Sequence, residues 1–109
     1  MNKTLSYDDV LLVPQYSDIK SRSEVPLEAD LGNDLVLCAP VLSSPMDTIS
    51  ETPMALAMAQ FGGAAIIHRY NTPQEQTKLI SMACDLSGNT SVGAAVGISD
   101  DFLTRAKLL

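Results

Sequence analysis

The sequence predicts an α/β fold built on a parallel sheet, and three observations carry that expectation. Apolar runs recur at residues 35–43, 64–70 and 91–97; a helical pattern or a helix-start signal follows each; and a polar loop closes each run. Strands alternating with helices of this length imply parallel pairing through right-handed crossovers, in either an open doubly wound sheet or part of a (β/α)8 barrel.

The first run, LVLCAPVLS, is apolar almost throughout and reads as a strand buried on both faces, with Pro40, which lacks an N–H, marking where ladder pairing begins. Residues 51–61 place Met54, Leu56, Ala57, Met58 and Phe61 at helical spacings, with Ser50 as N-cap, Pro53 in the first turn and Gly62-Gly63 as the stop. AAIIHRY is short and bounded by glycine, which favours a second buried strand. The next helix start is the best marked in the chain. Thr72 as N-cap, Pro73 at N1 and Glu75 at N3 make a capping box ahead of Leu79, Ile80, Met82 and Ala83.

SVGAAVG supplies a third strand of small residues, and Ser99 is expected to cap a third helix whose first turn carries Asp100 and Asp101. Residues 1–34 stand outside this alternation and read as an extended arm with a small hairpin, leaving residues 35–109 as three βα units. The chain stops at RAKLL, inside an amphipathic pattern with no C-cap signal, so it is expected to be cut off.

Composition narrows the function. With 46% hydrophobic and 18% charged residues and no long polar tract, order is the default. A net charge of −6 offers no basic footprint, which argues against nucleic acid, while a small anion remains open because backbone N–H groups can hold one. No apolar run approaches the roughly 18 residues of a membrane span and no signal peptide is visible, so neither membrane nor export is expected. Cys38 and Cys84 lack ligand spacing and read as buried thiols in a reducing compartment, the cytoplasm. His68 is the only histidine, so no His-based metal cluster is expected.

In parallel α/β architectures ligands sit at the carboxyl ends of strands, which selects SSPMDT, HRYNT and GISDD. In SSPMDT, Ser43 and Ser44 have the chemistry to donate to a phosphate or ring oxygen, Met46 to lie against a flat ring, and Asp47 to accept a hydroxyl or organise the loop. Equally, the serines and Asp47 can cap the next helix while Met46 fills core. His68 at a strand end reads as structural more readily than catalytic, and Arg69 as a surface residue more readily than an anion clamp. FGG and VGAAVG match neither GxGxxG nor a P-loop.

Five motifs in order, YDDVLLVPQYSDI, SSPMDTISE, MALAMAQFGG, IIHRYNTPQEQ and VGAAVG, closely resemble the N-terminal third of the IMP dehydrogenase and GMP reductase family. The resemblance implies the N-terminal part of a (β/α)8 TIM barrel, a fold of about 250 residues. It implies redox chemistry at C2 of a purine nucleotide: oxidation of IMP to XMP with NAD through a covalent intermediate on a cysteine, or NADPH-dependent deamination of GMP to IMP. Ser44 and Met46 match nucleotide-contacting positions, Met46 near the purine and Ser44 towards the ribose-phosphate. Ser43, Asp47 and His68 fall at supporting positions.

The resemblance also implies a homotetramer at full length and a monovalent cation whose ligands would lie beyond this chain. The family's catalytic cysteine falls beyond Leu109, and neither Cys38 nor Cys84 matches it. The regulatory CBS insert of many dehydrogenases is absent, since only DLSGNT separates the second helix from VGAAVG. That absence and SRSEV lean towards the reductase; SSPMDTISE, where reductases usually read ANMDT, puts the dehydrogenase ahead.

Overall fold

The computed structural model describes residues 4–33, 35–87, 92–98 and 101–109. Among the described residues ten elements follow one another, beginning with two single 3-10 turns in the arm at Tyr7–Asp9 and Arg22–Glu24. The first is closed by Ser6, whose backbone N–H and hydroxyl both donate to Asp9 Oδ2 at 2.8 and 2.9 Å. The arm carries its apolar residues in the open, with Leu11, Leu12 and Tyr16 all more than nine-tenths exposed.

A hairpin forms not within residues 1–34, as expected, but between the end of that arm and the apolar run that follows it. Strand β1 (Ala29–Asp30) pairs antiparallel with β2 (Val36–Leu37) around a turn with Gly32 and Asn33 at positive φ. Asp30 Oδ1 accepts the Gly32 amide at 2.8 Å, the local bond that makes aspartate a turn former.

LVLCAPVLS is therefore not one buried strand. Its first half is β2 in a two-stranded sheet; its second half is β3 (Leu42–Ser43), which belongs to a separate parallel sheet. Pro40 lies at the break, where its missing N–H interrupts the ladder. Of the run, only Leu37 is fully buried, while Val36, Val41 and Leu42 are about half exposed. Cys38, expected to be buried, is exposed in the bend between the strands, and Cys84 is half-buried; both are free thiols.

The parallel sheet has the order β3, β4 (Ala64–Ile67), β5 (Val92–Ala94). Leu42 stands opposite Ala64 and Ser43 opposite Ala65; Ala65, Ile66 and Ile67 stand opposite Val92, Gly93 and Ala94. Helix α1 (Thr52–Gln60) connects β3 to β4, and α2 (Pro73–Ser87) leads towards β5. At Gly93 of β5 a Cβ would stand 2.7 Å from Ile66 Cδ1, the movable end of that side chain.

Alternation along β4 sends Ala65 and Ile67 towards the helices, where they meet Ala55 of α1 and Ala83 of α2. Met58, Leu79, Ile80 and Val92 pack around that cluster. Thr52 crosses between the helices, its buried hydroxyl donating to the Leu79 carbonyl at 2.9 Å.

The helix signals divide in outcome. Thr72 and Glu75 form the expected capping box, with the Glu75 carboxylate accepting from the Thr72 amide and hydroxyl at 2.8 Å each and the Glu75 amide donating to the Thr72 hydroxyl at 3.2 Å. Ser50 is not the cap of α1. Glu51 occupies that position with extended backbone, and Ser50 is drawn beneath the loop that follows β3. Phe61, one of the residues at helical spacing, ends α1 exposed. Helix α3 (Phe102–Leu108) starts after Asp101, whereas the expected cap Ser99 and its neighbour Asp100 lie outside the described residues.

A buried polar network closes the carboxyl end of the sheet. Gln76 on α2 donates through Nε2 to the carbonyls of Ile67 and Ala95 at 3.2 and 3.0 Å. Its Oε1 accepts from Arg105 Nη1 at 2.8 Å, and Arg105 Nη2 donates to the Asn71 carbonyl and Asp101 Oδ2, each at 2.8 Å. Both side chains are buried.

Two outcomes follow from this framework. At Gly63 a Cβ would approach the Val41 carbonyl to 2.6 Å, a backbone atom with little freedom to yield, so Gly63→Ala is expected to cost about 1–3 kcal/mol. The urea midpoint measures it; a midpoint equal to that of the parent contradicts the close approach.

The Thr72 amide, then the Thr72 hydroxyl, hold the Glu75 carboxyl below its ordinary value of 4.5. Because the folded value lies below the unfolded one, the cap contributes fully above about 4.5 and is lost as pH falls through the depressed folded value. Amide exchange in the first turn of α2 should accelerate across that acid window, and Glu75→Gln should flatten the change.

Candidate functional site

The loop after β3 is shaped by its own backbone. The Met46 amide donates to the Ser44 carbonyl at 2.8 Å, and the Met46 carbonyl accepts the amides of Ile49 and Ser50 at 3.2 and 3.0 Å. Closing this turn places Thr48 at φ 60°, a left-handed conformation that is a genuine outlier for a β-branched residue. Such strain persists where the surroundings over-determine the backbone, as at ligand-contacting loops.

Among the residues singled out from the sequence, Ser44, Met46 and Asp47 are exposed on this loop, with Met46 at 52%. Ser43 is half-buried at the end of β3, where its Oγ accepts the Ile66 amide at 3.3 Å.

His68 follows β4 directly and is only 2% exposed. Its Nδ1 accepts the Tyr70 amide at 3.2 Å, which leaves the ring proton on Nε2, 3.3 Å from Glu51 Oε1. Asp47 Oδ1 stands 3.9 Å from the same nitrogen. With one nitrogen taken by a backbone amide and the other by a carboxylate, His68 ties the β4 loop to the N-terminus of α1. That arrangement orients carboxylates rather than presenting a free base.

Glu51, His68, Asn71, Glu75 and Lys78 line an open cleft of about 460 Å³, with Asp47 at one side and Tyr70, Leu79 and Met82 as its apolar surface. Arg105 Nη1 lies 3.4 Å from Asn71 Oδ1, which leaves the Asn71 amide nitrogen buried with no hydrogen-bond partner among the described residues. Three carboxylates face a single lysine, so the cleft repels the phosphates of a dinucleotide, and the described residues lining it do not fit that part of a nicotinamide cofactor. Among the described residues no group of three or more His, Cys, Asp and Glu side chains is placed to hold a metal ion. No described helix is long and apolar enough to cross a membrane.

Arg69 is exposed, as its sequence context suggested, but its guanidinium lies across the end of β5, where a Cβ at Gly97 would overlap Nη1. The sequence selected the HRYNT loop without giving Tyr70 or Asn71 a role, missed Glu51 and misread Ser50. No spacing marks Glu51, 17 positions from His68, as its neighbour, and the signal at Ser50, a serine ahead of a helix, pointed to a cap.

Comparison with known proteins adds what geometry leaves open. Residues 4–109 match the IMP dehydrogenase / GMP reductase domain. This chain belongs to that family. It is 44% identical over 97 residues to an inosine-5'-monophosphate dehydrogenase of Nitrosopumilus maritimus, covering 89% of this chain and 20% of the relative. It is 41% identical over 76 residues to a GMP reductase of Leishmania donovani and 43% identical over 76 residues to an inosine-5'-monophosphate dehydrogenase of Bacillus subtilis. Each of those two comparisons covers 70% of this chain and 15% of the relative. The chain thus spans a fifth or less of the length of these relatives, and both kinds of oxidoreductase occur among them. Every residue of the loop after β3, together with His68, falls inside the matched IMP dehydrogenase / GMP reductase span.

Replacing His68 tests the tie between the two loops. His68→Leu removes the acceptor for Tyr70 and the donor to Glu51 at a buried position, an expected loss of about 1–3 kcal/mol. Equilibrium denaturation measures it, and a variant as stable as the parent contradicts the tie.

Proposed function

We propose that this chain supplies the nucleotide-facing loop of a purine nucleotide oxidoreductase that oxidises IMP to XMP with NAD, as part of a (β/α)8 barrel. The observation that carries this reading is the exposure of Ser44 and Met46 on a strained, internally bonded loop at the carboxyl end of a parallel strand, in a chain of this family. Parallel barrels bind ligands at that end.

In the proposed reaction IMP, NAD and water yield XMP, NADH and a proton. Met46 lies against the purine, Ser44 donates towards the ribose-phosphate, and Ser43, Asp47 and His68 support the loop. Neither Cys38 nor Cys84 matches the family's reacting cysteine, so no covalent or hydride step is assigned to the residues of this chain.

NADPH-dependent reduction of GMP is the second reading. It is favoured by the SRSEV segment and by the short connection between α2 and β5, and a GMP reductase stands among the relatives. A third reading is a catalytically incompetent piece of either enzyme.

The test completes residues 1–109 with the remaining barrel of the Nitrosopumilus maritimus relative and follows NADH at saturating NAD. Turnover of IMP is expected, with Ser44→Ala and Met46→Ala each raising the KM for IMP by about tenfold, the scale of one lost polar or packing contact. Unchanged KM values in both variants overturn the assignment of these contacts. The 109-residue chain by itself is expected to form no NADH from IMP, and detectable turnover refutes the proposal that the reacting cysteine lies elsewhere.

A further inference from the structure

Ser50 is wholly buried, although it immediately follows a loop whose other residues are exposed. Its hydroxyl donates to the Ser44 carbonyl and its Oγ stands 3.3 Å from Ser43 Oγ, which in turn accepts the Ile66 amide of β4 at 3.3 Å. Its backbone is engaged at both ends. The Ser50 amide donates to the Met46 carbonyl at 3.0 Å, and the Ser50 carbonyl accepts the His68 amide at 3.4 Å.

One residue therefore bonds to the carbonyls of the two positions assigned to nucleotide contact, Ser44 and Met46, and to the end of the neighbouring strand. Apolar anchoring cannot replace these bonds, because Met46 and Ile49 are each about half exposed. The left-handed backbone at Thr48 adds a conformation that needs such bonds to persist.

We infer that Ser50 is a positioning residue for nucleotide binding: its buried hydroxyl sets the Ser43–Ser44 backbone, and with it the reach of Ser44 and Met46, from beneath the loop and without touching the ligand. This inference rests on the proposed nucleotide role of Ser44 and Met46 and adds to it the residue on which their geometry depends. A polar pin of this kind acts mainly on ligand affinity, because small displacements of contact groups weaken binding steeply.

The experiment uses the completed barrel described above, with Ser50→Ala and Ser50→Thr. Ser50→Ala is expected to raise the KM for the nucleotide by about tenfold, whereas Ser50→Thr, which keeps the hydroxyl, restores it to within about twofold. The KM for NAD should stay unchanged in both. A merely structural serine would lower the active fraction, and so kcat, leaving the nucleotide KM where it was.

A folded Ser50→Ala barrel with the parent's nucleotide KM overturns the inference alone, and a parent barrel that turns over no nucleotide overturns the proposed function and the inference together. Amide exchange in the unsubstituted 109-residue chain decides the matter should Ser50→Ala fail to fold. The Ser50 amide is then expected to exchange about 100-fold more slowly than an open chain, and exchange at the open-chain rate overturns the pin.

Discussion

The carboxyl end of a parallel sheet leaves backbone carbonyls that need donors, and here one buried amide meets two of them. Gln76 reaches from α2 to Ile67 at the end of β4 and to Ala95 just past β5, fixing how far the two strands extend before their loops begin. Its other end is held by Arg105, so α3 is bonded into the same network. Each such bond contributes modestly in net terms, about 1 kcal/mol, and loss of a buried partner costs about 1–3 kcal/mol. Cooperation of this kind makes the position of the strand ends a consequence of three elements at once.

What stands at those ends inherits the precision. With Ile67 held, His68 has a defined origin, and its two ring nitrogens then fix the turn of the β4 loop at Tyr70 and the start of α1 at Glu51. Ser50 lies next to Glu51 and carries the bonding on to the loop after β3. The exposed residues of that loop are therefore supported through buried polar groups rather than through the apolar core, which in this chain lies at Ala55, Ala65, Ile67 and Ala83. The arrangement separates the packing of the sheet from the shape of the loops at its carboxyl end.

Local signals in the sequence were read well where the physics is local. Thr72, Pro73 and Glu75 specify a helix start by bonds that span three residues, and they form as expected. Short apolar runs bounded by glycine gave β4 and β5. Misreadings arose where an outcome depended on distant partners. LVLCAPVLS looks like one strand because hydrophobicity does not report which neighbour each half will pair with, and β2 pairs with β1 while β3 pairs with β4. Cys38 looked buried for the same reason and is exposed at the bend. Ser50 has the chemistry of a cap, yet a hydroxyl bonds whichever acceptor the fold brings near, and that was the Ser44 carbonyl.

By itself the sequence determined the alternation of strands and helices, the parallel pairing it entails, the loops at the strand ends and, through five ordered motifs, the family. These rest on periodicity, turn chemistry and residue order, all of which act over a few positions of the chain. Only the tertiary structure decided that Ser50 goes beneath the loop, that His68 joins Glu51 to Tyr70, and that Gln76 and Arg105 close the end of the sheet. Each of those bonds links residues whose separation along the chain says nothing of their separation in space, and burial gives them their weight by leaving no water to take their place.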